Sequence, residues 1–190
     1  MSLKSHRLDQ QRAGNQRSLR IFAGLVIAAV LYTLLLYSYA AEEQSAQHDA
    51  EQWEEIAKIR LEAARGHELQ AEIKREEAFK RKSTDSPDRV GDALNGAGDE
   101  KYLASGDYQK ASKHWKKAAE VHETTGGTIK AKNARGHADT AWEAAKRTLI
   151  EGTLLHRMAE EQYANANNLV KRTAALEKVA RNLERLMKMK

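Results

Sequence analysis

Residues 50–78 read AEQWEEIAKIRLEAARGHELQAEIKREEA. Alanine returns at every seventh position, Ala50, Ala57, Ala64, Ala71 and Ala78. Seven residues are close to two helical turns, so these alanines fall in a narrow stripe on one face, with Trp53 and Leu61 beside them. The wider span 42–82 holds no proline and one glycine, Gly66, and therefore reads as one long helix. Its other faces are charged, with acid-to-base pairs four apart such as Glu54 to Lys58 and Glu76 to Lys80. Such a helix stands alone as a solvated stalk, or it uses the alanines as a helix–helix interface where backbones approach closely.

The rest of the chain agrees with an all-α fold. It has 190 residues, 31% of them charged and only 6% aromatic, with a single proline. That profile suits Ala/Glu/Lys/Arg-rich helices rather than a β-sandwich. The absence of cysteine excludes a disulfide scaffold, a cysteine nucleophile and any thiolate metal site. The net charge of +5 is a composite. Residues 1–20 carry five bases against one acid, residues 42–99 nine bases against fifteen acids, and residues 100–190 eighteen bases against eleven acids.

From Ile21 to Ala41 the chain reads IFAGLVIAAVLYTLLLYSYAA, without a charge. As a helix this spans about 31 Å, enough to cross a hydrocarbon core of about 30 Å. The basic residues 1–20 before it and the acidic flank after it predict a single transmembrane helix over 21–41, with a cytoplasmic N-terminus. Residues 42–190 would then lie outside the cytoplasm, in the periplasm for a bacterial inner-membrane protein; the mitochondrial inner membrane is the alternative location. Ser38-Tyr39-Ala40 has the small residues of a signal-peptidase site, so release after Ala40 is the competing expectation.

Ser83-Thr84-Asp85-Ser86-Pro87-Asp88 is the clearest boundary, and residues 83–98 read as a linker softened by Gly91, Gly96 and Gly98. Beyond it, Ser105-Gly106-Asp107 reads as a turn, followed by a helix with Tyr108, Ala111, Trp115 and Ala118 on one face. Tyr102, Gly106, Tyr108, Ala111, Trp115 and Ala118 fall at the spacing of a tetratricopeptide repeat, which the segment 91–124 resembles. Asn95, Asp99 and Glu123 depart from that repeat's tryptophan, glycine and proline positions. The resemblance implies antiparallel helical hairpins over 99–152, a hairpin core built from those six residues, and a protein-binding surface.

Gly126-Gly127 predicts a helix stop, with Thr128 capping the next helix and Gly152 interrupting it. The last segment, 153–190, reads as a basic amphipathic helix. Leu169, Leu176 and Leu183 repeat every seven residues, each followed four later by Thr173, Ala180 and Met187, and Val179 and Leu186 widen the stripe. The leucines join the alanines as expected helix–helix interface residues, with the lysines and arginines on the opposite faces.

No chemistry-bearing motif emerges. The seven histidines form no i,i+4 ligand pair, although His114 and His122 lie eight apart on one helix. Gly126-Gly127-Thr128-Ile129-Lys130 lacks the ending of a phosphate loop. The expectation is a non-enzymatic protein without cofactor or metal, and without a nucleic-acid partner because no aromatic platform accompanies the basic residues. It is a membrane-anchored scaffold or adaptor that binds partner proteins. The alternative is a self-associating, homo-oligomeric coiled-coil subunit of an envelope or secretion machine.

Overall fold

The computed structural model describes residues 48–82 and 84–189, all within one compact unit, residues 47–190. Among the described residues four helices follow in order: α1 over 48–81, α2 Pro87–Thr124, α3 Thr128–Asn165 and α4 Leu169–Lys188. No strand occurs among the described residues. Each helix runs antiparallel to the one before it. Glu54 reaches His122 while Lys74 reaches Glu100; Ser105 bonds Ala145 while Tyr163 bonds Asp92; Arg172 meets Glu160 while Asn182 meets His156.

The long stalk gives way to a packed helix. Ala50, Ala57, Ala64, Ala71 and Ala78 are all at most 1% exposed. Ala57 sits against Trp115, Ala118, Ala119, Ala134 and Ala138. Ala64 sits against Tyr108, Ala145 and Leu149, and Ala78 against Val90, Leu94 and Tyr163. A methyl group leaves room for the large aromatic side chains of α2, so the small stripe is what admits α1 to the bundle. The charged remainder of α1 pairs largely within its own surface, as in Glu77 with Arg81, or with α2.

The expected hairpin turn is absent. Ser105, Gly106 and Asp107 lie inside the uninterrupted α2. The groups that favour a turn are engaged otherwise: Ser105 Oγ donates to Ala145 O at 2.9 Å, and the Asp107 carboxylate pairs with Arg60 and Lys110. With no proline and strong helix formers on both sides, the helix continues. Most of the predicted linker 83–98 is likewise the first part of α2, which begins at Pro87 where the missing amide hydrogen costs nothing. The described geometry shows nothing specific to a tetratricopeptide repeat.

Real breaks lie elsewhere. α2 stops before Gly126, which takes φ +75°, and Gly127 rather than Thr128 caps α3. Helix α3 passes through Gly152 and ends at Asn165. Asn167 then adopts φ +53°, and the Asn168 side chain accepts the Lys171 backbone N–H to start α4.

The expectation of a single-pass inner-membrane protein, bacterial or mitochondrial, is corrected. Among the described residues no helix is long and apolar enough to cross a membrane. Their apolar side chains form stripes between charged ones rather than a sheath, as residues that pack on other helices do. The segment 21–41, the basic residues 1–20 and the cleavage site after Ala40 lie outside the described residues.

Candidate functional site: the outer face of helix α4

Helix α4 carries two apolar stripes, and the structure buries the less conspicuous one. Ala175, Val179, Asn182 and Met189 are buried against the bundle, and Leu186 packs beside Tyr102 and Trp142. Leu169, Leu176 and Leu183 instead face solvent, at 71%, 38% and 47% exposure. Thr173, Ala180 and Met187 are exposed with them. The predicted leucine interface is therefore present as a regular stripe, but it is not used within the chain.

The rotation of α4 is fixed by a ladder of polar contacts to α2. Lys171 Nζ donates to Asp88 at 2.8 Å and to Asp92 at 2.8 Å. One heptad on, Lys178 Nζ donates to Asp99 at 2.6 Å and Asn95 at 3.2 Å. One heptad further, Arg185 reaches Gln109 at 2.8 Å. Arg172 adds a contact to Glu160 of α3 at 2.7 Å. Two guanidinium groups, Arg181 and Arg185, also lie over the Tyr102 ring at 5.1 and 4.7 Å. Lys171 and Lys178 of the basic face are thus turned onto the acids of α2.

The titration behaviour follows this pairing. The hydrogen bond from Lys171 holds the Asp88 carboxyl below its ordinary range, and Asp88 and Asp92 raise the Lys171 ammonium. Burial pushes Asp99 up, but His156 and Lys178 together outweigh it and leave the carboxyl lowered. Burial and the hydrogen bond to Asp92 raise the Tyr163 phenol. Behind the ladder His156 is fully buried, with Nε2 3.3 Å from Asp99 Oδ1 and Nδ1 3.3 Å from Asn182 Nδ2.

Of the six residues expected to build a hairpin core, Tyr108, Ala111, Trp115 and Ala118 are buried. Tyr102 and Gly106 are half-buried beside Arg185. Tyr108 donates to Glu68 at 2.8 Å, and burial with that bond lifts its phenol to about 12. His114 stacks on Trp53 at 5.3 Å and His122 meets Glu54 at 2.9 Å, so the two histidines serve separate contacts with α1. Among the described residues no group of three potential ligands could hold a metal ion. A groove of about 460 Å³ is lined by Glu72, Arg75, Lys101, Glu151, Leu154, Leu155 and Met158. Its Lys101 and Glu151 are paired to each other at 2.6 Å.

Comparison with protein-family models, with curated proteins and with solved structures returns no match for this chain.

Proposed function

We propose that the protein is a helical scaffold or adaptor whose exposed α4 stripe receives a helix of a partner protein. The observation that carries this reading is the orientation of α4, weighed by energy. Partly exposed ion pairs contribute at most about 1 kcal/mol each. Burying a leucine is worth about 1.5–3 kcal/mol. Three leucines left at 71%, 38% and 47% exposure forgo more than their share of that term, and the forgone part becomes available when another helix covers them. An apolar stripe at heptad spacing fits a helix in particular, because each side chain then enters a gap on a facing helix. Helix α1 also exposes Ile59, Leu69 and Ile73, but Glu62 and Gly66 break that row.

The test is a photo-activated cross-linking residue placed at position 176 in the full chain, expressed in its native cell. A discrete protein adduct is expected, and one that disappears with Leu183→Glu. No adduct at 176 would refute the docking role.

A further inference from the structure

We infer that the helix seated on the α4 stripe is α4 of a second copy of this chain, packed antiparallel about a twofold axis. The inference rests on the docking role of the stripe and names its occupant. Three features of the stripe select this occupant.

The first is shape. Along the stripe leucines alternate with other residues, of which the first two are small: Leu169, Thr173, Leu176, Ala180, Leu183, Met187. Turned end for end and matched to itself, this row sets Leu176 against Ala180, Leu183 against Thr173, and Leu169 against Met187. Large residues then oppose smaller ones at the two inner levels, so the layers interdigitate. A parallel match would instead set leucine on leucine and alanine on alanine. A twofold interface requires this kind of self-complementarity, since one surface supplies both sides.

The second is charge. Glu177 and Arg181 border the stripe on one flank. Glu177 has no ion-pair partner among the described residues, and Arg181 has the Tyr102 ring alone, at 5.1 Å. In the antiparallel pair the same flanks meet, and each Glu177 comes within reach of Arg181 on the second copy. The pairing occurs twice by symmetry, and it sets an arginine beside each Glu177 carboxylate near the axis.

The third is area. Leu169, Leu176, Leu183 and Met187 are 71%, 38%, 47% and 65% exposed. Together they offer roughly 400 Å² of apolar surface per copy, a patch of the size that is often functional. Two copies would cover on the order of 800 Å² of apolar surface, the scale of a weak, transient interface. A reversible dimer follows, rather than a permanent one.

Sedimentation of the full chain in detergent-containing buffer over a range of concentrations is expected to show a monomer–dimer equilibrium. Leu176→Glu should weaken it about 100-fold or more, with an unchanged helical circular dichroism signal because residue 176 touches solvent. Glu177→Arg should weaken it too, and Glu177→Arg/Arg181→Glu should restore it. Because the chain has no cysteine, orientation is read from single-cysteine variants. Leu169→Cys mixed with Met187→Cys should form a disulfide between copies, whereas Leu169→Cys alone should not. Disulfide formation by Leu169→Cys alone would overturn the antiparallel arrangement. A strict monomer at every concentration would overturn the second copy as occupant. If the adduct at position 176 in cells then contained a different protein, the docking role would stand without self-association; an adduct of twice the chain mass supports both.

Discussion

Gly98→Ala tests the closeness of α2 and α3 most sharply. In an exposed helix, replacing glycine by alanine stabilises by about 1 kcal/mol. At Gly98 a Cβ would lie 2.5 Å from His156 Nε2 and 3.1 Å from the Gly152 carbonyl oxygen. Neither neighbour can yield. His156 is fully buried between Asp99 and Asn182, and the carbonyl belongs to the backbone of α3. Overpacking of this kind costs about 1–3 kcal/mol, and an approach this short calls on the upper end. Subtracting the propensity gain leaves a net loss of about 2 kcal/mol, or a fall of about 4–8 °C in the unfolding midpoint for a chain this size. Gly66→Ala is the internal control. Nothing lies within 4 Å of its Cβ, so the midpoint should rise by about 2–4 °C. Thermal unfolding followed by circular dichroism reads both. Gly98→Ala/His156→Ala should show a coupling of at least about 1 kcal/mol, because the second change removes the steric partner. A Gly98→Ala protein as stable as Gly66→Ala would refute the close crossing of α2 and α3.

Three further outcomes follow from the packing and the charges. Ala64→Leu introduces three carbons at a site with 0% exposure beside Tyr108 and Leu149; it should cost at least about 2 kcal/mol in urea unfolding, whereas a free-standing helix would lose nothing. Asn167→Val forces a β-branched residue to φ +53° and should cost about 1–2 kcal/mol, while Asn167→Gly should be close to neutral. The Glu100 carboxyl is lowered from its ordinary 4.5 chiefly by the Lys74 hydrogen bond, with His67 adding to it. A carboxyl lowered in the folded state contributes its stability above the unfolded value and loses it as pH falls through the folded value. Unfolding free energy should therefore decline from about pH 4.5 downward, and Glu100→Gln should make that decline shallower.

The all-helical fold was legible from residues 50–78 because a seven-residue alanine repeat has no other physical use than a close helix contact or a narrow unused stripe. Position along the chain did not decide between those; the aromatic side chains of α2 that fill the space beside the alanines do. The turn signal at Ser105-Gly106-Asp107 is local, and it is overridden by distant partners: Ala145 takes up the Ser105 hydroxyl, and Arg60 and Lys110 take up the Asp107 carboxylate. The true break at Asn167 and Asn168 had a signal in its paired asparagines, masked by apolar residues on both sides. The α4 stripe was legible as a heptad, but its direction was not. Its inner competitor, Ala175, Val179, Asn182, Leu186 and Met189, is equally periodic, and the acids that choose between the two stand about 80 residues away on α2.

Adjacent positions on α4 report its orientation most directly. Asn182 is fully buried, whereas Leu183 is 47% exposed. Asn182→Cys and Leu183→Cys are compared by thiol labelling at a concentration low enough to hold the chain monomeric. The lysine ladder predicts fast modification at 183 and protection at 182. Fast labelling at 182 with protection at 183 would mean that the leucines face the bundle, and the docking surface would not exist.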